Sequence, residues 1–152
     1  MATVNACEDG VVAAAPAVVY AYIADMRNHH PQFLPDAFSD FEVESGGVGA
    51  GTVTRFTVTA GGRSRKYHMT VAEPEPGKVL TETDGNSSLV TTFTVDEHPS
   101  GSLVRICSTW QGAGGVRGVF ERLFAPGAMR RIYADEIARL GRYAADRSPQ
   151  QG

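Results

Sequence analysis

The sequence has little of what several large classes of protein depend on. Its 152 residues carry 14 Lys and Arg against 17 Asp and Glu, so it lacks the basic excess that nucleic-acid binding requires. No apolar run approaches the length of about 18 residues that a membrane-spanning helix needs. The first ten residues, MATVNACEDG, lack the basic and apolar regions of a secretion signal. We therefore expect neither nucleic acid nor a membrane span.

Cysteine is scarce as well. Cys7 and Cys107 lie far apart, no CxxC motif is present, and the four histidines form no cluster with them. This pattern favours two reduced thiols in a cytoplasmic protein and no metal site. GGVGAG lacks the strand before it and the helix after it that a nucleotide-binding loop has, and no serine has the flanks of a nucleophile elbow. We expect no cofactor.

The clearest pattern is a long amphipathic segment near the carboxyl end. Spacings of three and four residues predict a helix from Pro126 to about residue 146, preceded by a short helix at about 116–124. The apolar face contains Met129, Ile132, Tyr133, Ile137, Leu140, Tyr143 and Ala144. The polar face contains Arg130, Arg131, Asp135, Arg139, Arg142 and Asp146, with Asp135 and Arg139 spaced for an ion pair. A helix with such a long apolar face requires an equally long apolar surface to cover.

The chain before residue 38 predicts one strand and two short helices. The strand covers 3–12, and Pro16 begins a helix because its fixed φ suits a first helical position. The predicted apolar face of that helix contains Val18, Tyr22, Ile23 and Met26. A second short helix is predicted at 27–33, with His29 and His30 as a solvated cap.

From Phe38 to Gln111 the hydrophobic period changes to two, which predicts a six-stranded antiparallel meander. Tight turns at 61–62, 85–86 and 99–100 would pair Phe56 with Tyr67, Glu82 with Leu89, and Leu89 with Trp110. Across the EPEPG turn, Val71 would face Leu80. The resulting inner face contains Thr54, Phe56, Val58, Arg65, Tyr67, Met69, Val71, Leu80, Glu82, Leu89, Thr91, Phe93, Val95, Val104, Ile106, Ser108 and Trp110.

This order of elements resembles the helix-grip fold of the START-like (SRPBCC) superfamily, which includes polyketide cyclases and dehydrases. The likeness covers nearly the whole chain and lies in VVYAYIAD after the first strand, the EPEPGKVL hairpin and the ERLFAP-to-RYA segment. It implies an α+β fold in which a curved antiparallel sheet of about seven strands wraps a long carboxy-terminal helix. We expect a single domain over 1–147, a flexible tail at 148–152, and a monomer or homodimer.

The resemblance implies an apolar cavity between the sheet and the long helix. The first functional hypothesis is binding of a small hydrophobic or amphipathic molecule there. The alternative is an enzyme of the polyketide cyclase/dehydrase type that uses the same cavity. A third possibility is a protein-interaction module that uses the outer face of the sheet, as some co-chaperone relatives do.

Glu82, Tyr67 and Arg65 are the candidates for catalysis. The register places the Glu82 carboxylate on the apolar face, where it could be a general acid or a polar anchor, or could instead be solvated near the end of the sheet or bonded to Tyr67. Arg65 could hold an oxyanion at the cavity mouth or extend into water. The candidate ligand-binding residues are Phe56, Tyr67, Met69, Glu82, Leu89, Thr91, Phe93, Trp110, Met129 and Tyr133.

Overall fold

The computed structural model describes residues 2–112 and 124–147, and within them seven strands form one antiparallel sheet. The strands are β1 (Ala2–Val12), β2 (Phe38–Ser45), β3 (Val53–Ala60), β4 (Arg63–Glu75), β5 (Val79–Asp84), β6 (Val90–His98) and β7 (Gly101–Gly112). The helices are α1 (Pro16–Ala24), a 3-10 helix (His30–Phe33) and the long α2 (Pro126–Arg147). The predicted tail at 148–152, and all but the last residue of the predicted helix at 116–124, lie outside the described residues.

The order of the strands across the sheet is β1-β7-β6-β5-β4-β3-β2. Helix α2 lies across the inner face and packs most extensively against β1. The core sits between this face and the helices. This is the predicted α+β helix-grip arrangement, with two short helical segments after the first strand.

The predicted register is correct in part. Phe56 pairs with Tyr67, and His98 pairs with Gly101. Glu82 pairs with Thr91 and not with Leu89, because the β5–β6 connection is wider than a two-residue turn: the Asp84 N–H donates to the Leu89 carbonyl at 3.0 Å.

The EPEPG connection also departs from the prediction. Val71 pairs with Glu82 and not with Leu80, because a bulge lies between Ala72 and Glu75. Both errors are shifts of two residues in the pairing register. A shift of two leaves every side chain on its predicted face, so each of the seventeen predicted inner-face residues except the half-buried Arg65 is buried.

Helix α2 confirms the predicted faces. Its buried residues include the whole predicted apolar face and one more, Glu136. On the polar face, Arg139 Nε donates to both Asp135 carboxylate oxygens at 3.2 Å.

The predicted face of α1 is partly wrong. Val18 is 44% exposed and Tyr22 is half-buried, while Val19, Tyr20, Ile23 and Ala24 are buried. The nine residues of α1, PAVVYAYIA, are apolar on every side, so their pattern does not select a face. The packing of Tyr20 decides it, since its hydroxyl donates to Glu73 Oε2 at 2.7 Å.

The second short helix is shorter than predicted. Only His30–Phe33 is helical, as a single 3-10 turn. The Asp25 carboxylate accepts the backbone N–H groups of Arg27 and Asn28, a local turn that competes with helix formation. Pro31 then supplies no N–H for a helical hydrogen bond.

The prediction of two free thiols is wrong. Cys7 and Cys107 face each other across the β1–β7 pair with Cα atoms 4.1 Å apart, and they form a disulfide. The pairing register of β1 and β7 brings the two sulfur atoms together, whereas the prediction of free thiols rested on an expected cytoplasmic compartment. Because disulfides are typical of oxidising compartments, the cysteines no longer support a cytoplasmic location. Within the part of the chain that is described, no helix is long and apolar enough to cross a membrane.

Candidate functional site

A small cavity lies between the inner face of the sheet, the 3-10 helix and the first half of α2. Its volume is about 40 Å³, room for a few water molecules. The wall is mostly aromatic and aliphatic. Among the described residues, the lining consists of His30, Leu34, Phe38, Phe41, Phe56, Val58, Tyr67, Met69, Glu82, Leu89, Thr91, Phe93, Met129, Ile132, Tyr133 and Glu136.

Four rings form one side of the cavity. Phe56 lies with its ring centroid 5.2 Å from that of Phe38, 6.0 Å from that of Phe41 and 5.6 Å from that of Tyr67. Phe38 and Phe41 both reach Phe56 because β2 has a bulge between Ser39 and Glu42. Asp40 within that bulge adopts a φ of +55°, a conformation that Asp tolerates better than most residues.

Glu82 lies in the wall and is 6% exposed, so the solvated alternative is wrong. Burial raises the pKa of its carboxyl group to about 7, the neighbouring His30 lowers it, and the negative charge of Glu136 raises it. A carboxyl group with this pKa is present in both protonation states near neutral pH, which suits a general acid or base.

His30 and Glu136 are the two ionisable cavity residues that the sequence reasoning missed. His30 is 2% exposed and not a solvated cap. Its Nδ1–H donates to the Ile23 carbonyl at 2.7 Å, and its Nε2 lies 3.3 Å from Glu136 Oε2. That contact is ionic, since its geometry falls outside that of a hydrogen bond. Burial lowers the pKa of His30, but Glu136, the negative charge of Glu82 and the hydrogen bond to the Ile23 carbonyl together raise it overall.

The sequence contains a signal for Glu136. It lies three residues after Tyr133 and four before Leu140, which places it within the predicted apolar face of the helix. A charged residue at such a position is either paired or functional. The sequence contains no comparable signal for His30, because no hydrophobic period extends through the turn that carries it.

Two further polar features complete the site. The Tyr133 hydroxyl is hydrogen-bonded to Ser108, whose hydroxyl lies 2.7 Å from Thr91 Oγ1. Burial raises the pKa of Tyr133 and raises that of Tyr67 to about 12. The Tyr67 hydroxyl differs from that of Tyr133: it is buried and has no hydrogen-bond partner among residues 2–112 and 124–147.

The structure brings nine of the ten predicted ligand-binding residues to the cavity wall. Trp110, the tenth, is buried in the core outside the lining that is described. Of the catalytic candidates, Glu82 and Tyr67 line the cavity, whereas Arg65 is not among its lining residues and lowers the pKa of Tyr67 through its charge. No group of three or more metal-binding side chains occurs in the described part of the chain.

Comparison with known families identifies the group to which the chain belongs. Residues 6–145 match the family described as polyketide cyclase / dehydrase and lipid transport. The chain belongs to this family. The family includes binding and enzymatic functions, so membership alone does not select between them.

Solved structures agree with this assignment. The KanY protein, solved by NMR, is 37% identical over 95% of this chain and 99% of its own, with a TM-score of 0.84. A Thermus thermophilus protein is 17% identical over 97% and 99% of the two chains, with a TM-score of 0.72. Panax ginseng major latex-like protein 151 is 14% identical over 97% and 99%, with a TM-score of 0.65. The last two show the fold alone. No curated protein matches the sequence significantly.

Proposed function

We propose that this member of the polyketide cyclase / dehydrase and lipid transport family binds a small hydrophobic or amphipathic molecule in the cavity between sheet and α2. The observation that carries the proposal is a pair of buried polar atoms in an otherwise apolar wall. Tyr67 Oη and Glu136 Oε2 have no hydrogen-bond partner within the described residues. An unsatisfied buried polar group destabilises a fold by about 1–3 kcal/mol, and a ligand with polar groups at these two points would remove that penalty.

The size of the cavity constrains the ligand. At about 40 Å³ it is far smaller than the roughly 300–1,000 Å³ of pockets for drug-sized ligands. A larger ligand therefore requires wall side chains to move. Met69 and Met129 are the residues best able to do so, because methionine is unbranched and adapts to irregular spaces.

The methionines also supply the test. In protein with ¹³C-labelled methionine methyl groups, an apolar probe such as toluene should shift the NMR signals of Met69 and Met129 saturably. Met26 is fully buried and is not among the lining residues, so its signal should stay in place. Trp110 fluorescence should change little, since its ring lies outside the described lining.

A variant that fills the cavity provides the matched control. Leu89→Trp adds bulk to the wall and should abolish the methionine shifts while the protein stays folded, at a stability cost of about 1–3 kcal/mol. Val18→Ala alters an exposed side chain and should bind as the unmodified protein does. Shifts that persist in Leu89→Trp would show that the probe binds elsewhere.

The second candidate function is catalysis of the polyketide cyclase/dehydrase type, and the Glu82 carboxyl group favours it. With a pKa of about 7, Glu82 could donate a proton to a ketone oxygen, with the Tyr67 hydroxyl as a second donor. Glu82→Gln preserves shape and removes the titratable proton. In a binding module this variant should bind a poly-ketone within about 1–2 kcal/mol of the parent. In an enzyme its turnover should fall by about 100-fold or more.

A further inference from the structure

Among the described residues, three carboxyl or imidazole side chains from three different elements line this one small cavity. His30 comes from the 3-10 helix, Glu82 from β5 and Glu136 from α2, and each is at most 6% exposed. Buried charges interact strongly because little water screens them. Together they determine which ligand charge the cavity tolerates.

The contacts of His30 hold the His30–Glu136 pair in one arrangement. His30 Nδ1–H is committed to the Ile23 carbonyl, and Nε2 faces the Glu136 carboxylate at 3.3 Å. This placement favours an imidazolium paired with a carboxylate, which has no net charge. While His30 stays protonated, Glu82 decides the sum over the three groups: the trio is neutral when Glu82 is protonated and carries one negative charge when it is ionised.

The other ionisable groups that face Glu82 leave this sum unchanged. Tyr67 and Tyr133 line the same cavity, and burial raises the pKa of both, so they stay neutral. Asp84, also buried on β5, accepts hydrogen bonds from the His68 backbone N–H and the Ser87 hydroxyl. Arg65 lies outside the described lining and acts on Tyr67 through its charge.

The two buried atoms that lack a hydrogen-bond partner within the described residues complete the pattern that a ligand would meet. Glu136 Oε2, as part of a carboxylate, only accepts hydrogen bonds, whereas Tyr67 Oη can donate one. A ligand hydroxyl group can donate to the first atom or accept from the second. A ligand carboxylate cannot donate to Glu136. It would add an uncompensated negative charge to a neutral trio, and a second one when Glu82 is ionised.

We propose that the cavity is selective for uncharged ring compounds that carry a hydroxyl group, such as phenols, and that the Glu136 carboxylate and its neighbour Glu82 exclude carboxylates. The aromatic side formed by Phe38, Phe41, Phe56 and Tyr67 would contact the ring of the ligand. This inference rests on the proposed binding function and specifies its ligand class.

Three ring compounds test it: phenol and toluene, which have the same number of non-hydrogen atoms, and benzoate, which has two more. Each is titrated into protein with ¹³C-labelled methionine, and the Met69 and Met129 signals report binding. We expect phenol to bind more tightly than toluene, and benzoate to bind about tenfold or more weakly than phenol at pH 6. The ratio of phenol affinity to benzoate affinity should increase further at pH 8, where Glu82 is ionised.

Two variants connect this selectivity to the named groups. Glu82→Gln should reduce the change in the ratio between pH 6 and pH 8, since both probes keep one charge state over that range and His30 is then the one member of the trio with a raised pKa that can still titrate. Glu136→Gln should raise benzoate affinity severalfold. Its folding is checked by its amide NMR spectrum, and Glu82→Gln still tests the charge argument if Glu136→Gln does not fold.

These outcomes distinguish a failure of the proposed charge selectivity from a failure of the proposed binding function. If toluene binds but phenol and benzoate bind equally well, or if Glu82→Gln leaves the pH dependence of their ratio intact, the charge selectivity is wrong and the binding function stands. If none of the three probes shifts Met69 or Met129, both are overturned.

Discussion

The two halves of the interface between α2 and the sheet are built differently. In the carboxy-terminal half, Ile137, Leu140 and Ala144 are buried and α2 packs closely on β1. The approach is so close that a Cβ atom on Gly10 would lie 2.8 Å from Ile137 Cγ2. In the amino-terminal half, Met129, Ile132, Tyr133 and Glu136 face a cavity instead.

The difference shows how one helix can serve two purposes. The closed half stabilises the fold by burying apolar surface without voids. The cavity half retains an ion pair, a carboxyl group with a raised pKa and a hydroxyl group that has no hydrogen-bond partner within the described residues. Burying each of these polar groups carries a desolvation cost. Polar groups kept at such a cost are characteristic of functional sites.

The largest expected effect is at the closed half. Leu140→Asp places a charge where the side chain is 1% exposed, and we expect it to lower the free energy of unfolding by several kcal/mol, on the order of 3–5. Arg142→Ala changes an exposed residue of the same helix and should cost about 0.5 kcal/mol or less. Chemical denaturation measures both; equal stability of the two variants would mean that the helix faces are assigned wrongly.

The disulfide between β1 and β7 gives the next effect. It joins residues 100 positions apart, so the double variant Cys7→Ser/Cys107→Ser should lose about 2–4 kcal/mol of unfolding free energy. Binding of toluene should be unaffected. A reductant should destabilise the parent and leave the double variant unchanged. Two reactive thiols per chain in unfolded, unreduced protein would contradict the bond.

The cavity half provides the third prediction, through pH. Because the pKa of Glu82 is raised to about 7 from its ordinary value of 4.5, the folded state binds this proton more tightly than the unfolded state does. The stability that it contributes is complete below pH 4.5 and is lost as the pH rises to about 7, by about 3 kcal/mol in total. Glu82→Gln should lack this loss.

His30 acts in the same direction at higher pH. Its pKa is raised in the folded state, so its contribution is complete below about pH 6.5 and is lost as the pH rises through its folded pKa. Measuring the free energy of unfolding of the parent and of Glu82→Gln between pH 4.5 and 8 therefore isolates the part of the pH dependence that comes from Glu82. Glu97→Gln, at an exposed position, is the control. If the free energies of unfolding of the parent and of Glu82→Gln change with pH in parallel, Glu82 is not buried as described.

Much of the fold could be predicted because it depends on short-range periodicity. The period of two placed Glu82 and the other inner-face residues correctly even where the pairing was wrong, since both register errors were even-numbered. Spacings of three and four residues gave the faces of α2. The same pattern included Glu136 within the apolar face, although the reasoning did not use it.

Tertiary structure alone decided the features that depend on contacts between distant segments. The all-apolar sequence of α1 did not specify its buried face, which the Tyr20–Glu73 hydrogen bond fixes. The pairing register of β1 on β7 sets Cys7 directly opposite Cys107, where the two form a disulfide. His30 meets Glu136 only because the 3-10 turn packs beneath α2, over 100 residues later in the chain. Sequence periodicity reports which face of an element is buried, but the partner across the core is set by how the elements pack.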